Sequence, residues 1–123
     1  SKRRQIAQEI AYQEGPAGGV RRAKAVVTNP THLAIALGYD KEMDAAPYVI
    51  AMGEDMLAER IVMIAKQHDI PVVRNLTLAH KLWNEGDIYE YVPEDTYEAI
   101  AEILRWIAAL KTEDAYEYSE QTE

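Results

Sequence analysis

A chain of 123 residues with 48% hydrophobic side chains has the size and apolar content for one compact domain with an ordinary core. It holds no cysteine, which excludes disulfides, thiolate nucleophiles and cysteine-type zinc sites, and it holds neither a run near the ~18 apolar residues of a membrane-spanning helix nor a hydrophobic leader segment. The net charge of −8 is uneven, with six basic and two acidic side chains in residues 1–24 (+4) against 7 basic and 19 acidic in the remaining 99 (−12), so the acidic body lacks the positive face that nucleic acid requires.

Residues 2–14, KRRQIAQEIAYQE, set Ile6 and Ile10 four apart among good helix formers, which predicts a helix with a narrow apolar stripe. GPAGG at 15–19 breaks it, because glycine and proline favour turns and flexible connections. Residues 1–22 are thus expected to be a basic linker helix and hinge, suited either to an anionic lipid surface or to a solvated spacer, and charge pattern alone does not choose between them. The domain proper is expected over 23–111. AKAVVT (23–28) and HLAIALGY (32–39) are short apolar runs rich in β-branched residues and read as strands, and PYVIAMG (47–53) reads as a third.

Gly53-Glu54-Asp55 reads as the opening of a helix to about His68, with Leu57, Ile61, Ile64 and Ala65 on one face and acids at the positive end of the helix dipole. IPVVRN (70–75) reads as a fourth strand, and LTLAHKLWNEG (76–86) as a short helix stopped by Gly86. A long helix follows Pro93, with Tyr97, Ile100, Ala101, Leu104, Ile107 and Ala108 forming its apolar stripe. Trp83 and Trp106 flank such apolar positions and suit either the core or a partner-binding patch. Residues 112–123 carry five acids and no aliphatic side chain larger than alanine, and are expected to form a disordered tail. The order predicts an α/β fold: a small domain with a central sheet of about four strands surrounded by helices, preceded by a linker helix. The third strand, its helix and the fourth strand should make a right-handed βαβ unit with parallel strands.

The unusual chemistry lies between the first two strands, in Asn29-Pro30-Thr31-His32. A residue before proline is pushed toward extended geometry, and proline has no amide N–H. The common ageing of asparagine, attack by the next backbone nitrogen on the side-chain carbonyl, is closed because that nitrogen belongs to Pro30. The opposite attack stays open. The Asn29 side-chain nitrogen can close a succinimide ring on its own backbone carbonyl and expel the Pro30 nitrogen, breaking the chain between residues 29 and 30. An amide is a weak nucleophile, so this reaction needs alignment and proton transfer. His32, a residue type that exchanges protons near neutral pH, can serve the proton transfer, and Thr31 can hold the turn. An N-to-O acyl shift is excluded, because it requires Ser, Thr or Cys where Pro30 stands. On the residues alone, a plain turn with asparagine first and proline second also accounts for the motif.

The flanks extend the comparison. VVTNPTHLAIAL, GYDKEMDAAPYVIAMG, IAKQHDIPVVRNLTLAHKLW and AIAEILRWI resemble corresponding blocks of the FlhB/YscU family of autocleaving export-switch proteins, over about residues 22–110. The resemblance implies that Asn29 cyclises, Pro30 becomes a new amino terminus, and Thr31 and His32 shape the loop. It implies a location on the cytoplasmic side of the bacterial inner membrane, after four membrane helices, with residues 1–22 as the juxtamembrane linker. It also implies single-turnover self-cleavage that switches export from early needle-type to later translocator-type substrates, in an injectisome by preference over a flagellum. Implied partners are other export components and secreted substrates or their chaperones. An uncleaved docking module of the export gate is the main alternative.

No metal or cofactor is expected. His32, His68 and His80 are the only histidines, and none are spaced three or four apart. GPAGG lacks the pattern of a phosphate loop. His68 falls near a helix end, where it can cap carbonyls.

Overall fold

The computed structural model describes residues 15–30 and 32–121, with backbone alone from 113 to 121. The linker helix expected over 2–14 and residue Thr31 lie outside the described residues. Four strands form one mixed sheet: β1 (Ala25–Asn29), β2 (Leu33–Gly38), β3 (Tyr48–Glu54) and β4 (Val72–Arg74), in the order β3-β2-β1-β4. β1 pairs antiparallel with β2 and parallel with β4, while β2 pairs antiparallel with β3. Both central strands are buried almost throughout. That explains why they read as continuous apolar runs without alternation, the mark of a sheet covered on both faces.

Alternation nevertheless sorts their side chains. Val26, Ala34 and Ala36 join Ala58, Ile61 and Ala65 of helix α1 (Met56–Gln67) on one face. Val27, Leu33, Ile35 and Leu37 join Leu78, Ala79 and Leu82 of α2 (Leu76–Glu85) and Ile100 of α3 (Tyr97–Gln121) on the other. The result is a three-layer α/β domain of the expected class. The β3–α1–β4 crossover carries β4 past two strands to the far edge beside β1, an order that no local pattern encodes.

Four expectations are corrected. The third strand does not give way to helix at Gly53, because Glu54 still pairs with Leu33 and α1 begins at Met56. The chain reverses at Asp55, whose φ of 53° lies in the left-handed region that side chains disfavour. The fourth strand is short because Pro71 has no N–H to donate; its carbonyl accepts the Val26 N–H at 2.9 Å. The hinge expected before residue 23 is packed instead: Gly18–Arg22 forms a 3₁₀ turn, and Ala17 and Val20 are buried in the α1-side core. Finally, α3 continues to Gln121, into the stretch expected to be a tail. Alanine, glutamate and glutamine there are good helix formers and extend a helix whose first turns are already anchored in the core.

Candidate functional site

The turn between β1 and β2 rests on a rigid base. Asn29 is the last residue of β1 and pairs with Leu33, the first of β2. The His32 backbone N–H donates to the Asn29 carbonyl at 3.0 Å. The His32 carbonyl in turn accepts the Asp55 N–H at 3.0 Å, so the turn is tied to the β3–α1 junction. Pro30 and His32 are exposed, Asn29 is half-buried and Thr28 is buried.

Side chains along a strand point to opposite faces in turn. Asn29 therefore projects to the Val27 side, the face covered by α2. That helix is placed by Asn75, whose backbone N–H donates to the Thr28 carbonyl at 3.0 Å. The Asn75 side chain caps α2 by accepting the Leu78 N–H at 3.1 Å. With Leu78, Ala79 and Leu82 turned into the core, His80 stands on the exposed side. Its Nε2 lies 3.1 Å from the Asn29 side-chain nitrogen.

Of the expected residues, the structure joins Asn29, Pro30 and His32 in one turn. His32 reaches Asn29 through its backbone N–H, and the ring nitrogen that meets the Asn29 amide belongs to His80. Sequence reasoning passed over His80. The contact crosses 51 residues, and the sequence-level hint was that His80 occupies the polar side of a short helix that begins with an asparagine cap directly after a strand.

The other features have structural roles. His68 ends α1 through its backbone N–H, which bonds to the Ile64 and Ala65 carbonyls. Trp83 packs partly buried against the α2-side core, whereas Trp106 is 53% exposed and stands outside it. Lys81 bridges α2 to the segment before α3 through Asp95 and also bonds Glu85 at 3.0 Å. These hydrogen bonds, that to Asp95 foremost, raise its pKa. No cluster of potential metal ligands occurs among the described residues, nor is any of their helices long and apolar enough to cross a membrane. On the α1 face beside the turn lies an open groove of about 700 Å³, walled in part by Thr28, Pro30, Val62, Met63, Lys66 and Val72.

Residues 1–107 match the profile of the FlhB HrpN YscU SpaS Family. The flagellar biosynthetic protein FlhB of Bacillus subtilis is 42% identical over 110 residues, which cover 89% of this chain and 29% of that protein. The hypersensitivity response secretion protein HrcU of Ralstonia nicotianae is 38% identical over 109 residues, 89% of this chain and 30% of its own length. The chain thus spans under a third of these relatives. The crystal structure of the cytoplasmic domain of FlhB from Shewanella putrefaciens superposes with a TM-score of 0.78 at 30% identity, covering 84% of this chain and 79% of that one.

Proposed function

The chain belongs to the FlhB HrpN YscU SpaS family, and on that premise we propose that it is the cytoplasmic part of a type III export protein that cuts itself once between Asn29 and Pro30 and so switches the class of substrate exported. The observation that carries this reading is the 3.0 Å bond from the His32 N–H to the Asn29 carbonyl. It polarises the carbonyl carbon for attack by the Asn29 side-chain nitrogen, and it stabilises the oxyanion of the tetrahedral intermediate, the kind of preorganised donor that lowers acyl-transfer barriers most. The intermediate collapses by expelling the Pro30 nitrogen, which takes up a proton and leaves as a secondary amine. Asn29 is left as a carboxyl-terminal succinimide, which water opens. The reaction runs once per chain.

The cut opens a hairpin whose two strands stay paired, so the fold persists while the surface changes. Pro30 becomes a charged amino terminus beside the groove on the α1 face, and other export components, substrates or their chaperones read that altered surface. The solved EscU domains changed at an asparagine and at the proline directly after it direct attention to the same dipeptide. The relatives include a flagellar protein at 42% identity and the secretion protein HrcU at 38%, so they do not divide the injectisome from the flagellum.

The test is the intact mass of the purified chain under denaturing conditions. Two species of 29 and 94 residues are expected, with masses summing to the full chain plus one water once the succinimide has opened. Asn29→Ala should give one species, and in the full-length protein it should block the change of exported substrate. A single 123-residue mass after long incubation at neutral pH would refute self-cleavage and leave the turn as a docking surface.

A further inference from the structure

Resting on that reading, we infer that His80 is the base that activates Asn29. Its Nε2 stands 3.1 Å from the nitrogen that must become the nucleophile. An amide nitrogen has its lone pair delocalised into the carbonyl, so it attacks only as its proton leaves. A neutral imidazole with its hydrogen on Nδ1 presents Nε2 as an acceptor, and that is the arrangement in which Nε2 receives the Asn29 N–H.

The position of His80 is built from both ends. β-strand alternation sends the Asn29 side chain to the α2 face, and the Asn75 cap with its bond to Thr28 fixes where α2 begins. The ring is also exposed, so it can return the proton to water after the transfer. Histidine is suited to this exchange near neutrality.

The step balances as follows. His80 Nε2 takes one proton from Asn29 Nδ2 as that nitrogen bonds to the Asn29 carbonyl carbon, whose oxygen becomes an oxyanion under the His32 N–H. The oxyanion then re-forms the carbonyl, the bond to the Pro30 nitrogen breaks, and that nitrogen takes a proton from water at the exposed turn. The imidazolium loses its proton to solvent, and the catalyst is unchanged. His80 thereby does for the nucleophile what the His32 backbone does for the electrophile, from a different element of the fold.

The test follows cleavage of the newly made chain in a cell-free synthesis reaction, stopped at intervals and read on denaturing gels and by intact mass. His80→Ala removes the base, while His80→Gln keeps a hydrogen-bond acceptor but cannot carry the proton. Both should cleave about 100-fold more slowly or worse, the scale of general base catalysis. Added imidazole should restore much of the rate to His80→Ala and none to Asn29→Ala. Because His80 is exposed, both variants should keep the wild-type urea midpoint. Wild-type rates in either variant, or no rescue of His80→Ala by imidazole, would overturn the assignment; a purely positioning role predicts a wild-type rate in His80→Gln and no rescue of His80→Ala. If the wild-type chain itself stays whole, it is the cleavage reading that falls, and this inference with it. Wild-type cleavage together with unimpaired His80 variants removes this inference alone.

Discussion

In a chain cut as proposed between Asn29 and Pro30, residues 1–29 would be held only by non-covalent contacts, and Val27→Ala measures how firmly. Val27 is fully buried, pairs with Ile35 on one side and Val73 on the other, and packs into the cluster with Leu78 and Leu82. The substitution removes two methyl groups at about 0.8 kcal/mol each, and the cavity left behind brings the loss to about 2–3 kcal/mol. At 1.4 kcal/mol per tenfold, the short piece should be held roughly 30- to 100-fold more weakly. The assay is urea-induced release of the 29-residue piece from cleaved protein, followed by native size exclusion. Lys24→Ala, at the exposed residue just before β1, serves as the control. The same substitution in uncleaved Asn29→Ala protein should lower unfolding stability by a similar amount, because the buried contacts are the same with or without the nick. If Val27→Ala and Lys24→Ala release the piece at the same urea concentration, then β1 does not hold the fragments together and the argument from burial fails.

Two further substitutions probe the frame around the site. At Gly38→Ala the new Cβ would fall 2.5 Å from Tyr48 Cζ and 2.8 Å from Ile50 Cδ1. This overpacking should cost about 1–3 kcal/mol, seen as a lower urea midpoint at unchanged slope, and an unchanged midpoint would contradict the close approach of β2 and β3. Lys81→Met removes the partner of Asp95 and Glu85. Those partners raise the folded-state pKa of Lys81 above its ordinary 10.5, so its contribution is complete below that pH and is lost as pH rises through the folded value. The stability gap between wild type and Lys81→Met should therefore be small and salt-sensitive at neutral pH. It should close in strong alkali; a gap that stays constant from about pH 9 to pH 11.5 would rule out the linkage.

The sheet and its turn were legible because burial on both faces makes each central strand a short unbroken apolar run, and proline after asparagine marks the reversal. The start of α1 was misread for a physical reason. Glu54 and Asp55 look like acids at a helix start, but a ladder partner at Leu33 holds Glu54 in the strand, and the reversal is taken by Asp55 at positive φ. Periodicity placed the α3 stripe well enough to find buried Ile100 and Ile107, yet it could not say where the arc ends, and Trp106 falls outside it. The buried Ala17 and Val20 were hidden by the glycines around them. The contact of His80 with Asn29 was out of reach for a deeper reason: it depends on strand order, since only with β4 beside β1 does α2 begin next to the end of β1.

The location of the asparagine reconciles two demands that conflict elsewhere in the fold. The proposed attack requires a side chain free to swing onto its own carbonyl, yet the surrounding backbone must be rigid enough to keep the carbonyl polarised. One residue earlier, Thr28 is 5% exposed and held in the ladder on both sides, by Ala34 and by Arg74. One residue later the chain has left the ladder. Asn29 has ladder pairing to Leu33 on one side only, because the parallel register with β4 ends at Thr28. Its carbonyl is bonded while its side chain stands at the open corner between β1 and α2. The same corner limits the damage of a cut. Both strands of the hairpin are interior, so the pairing from Ala25–Leu37 to Asn29–Leu33 remains after the peptide bond is gone. A cut at this point would change the surface at the turn and leave the core as it was, which is what the proposed switch requires of the fold.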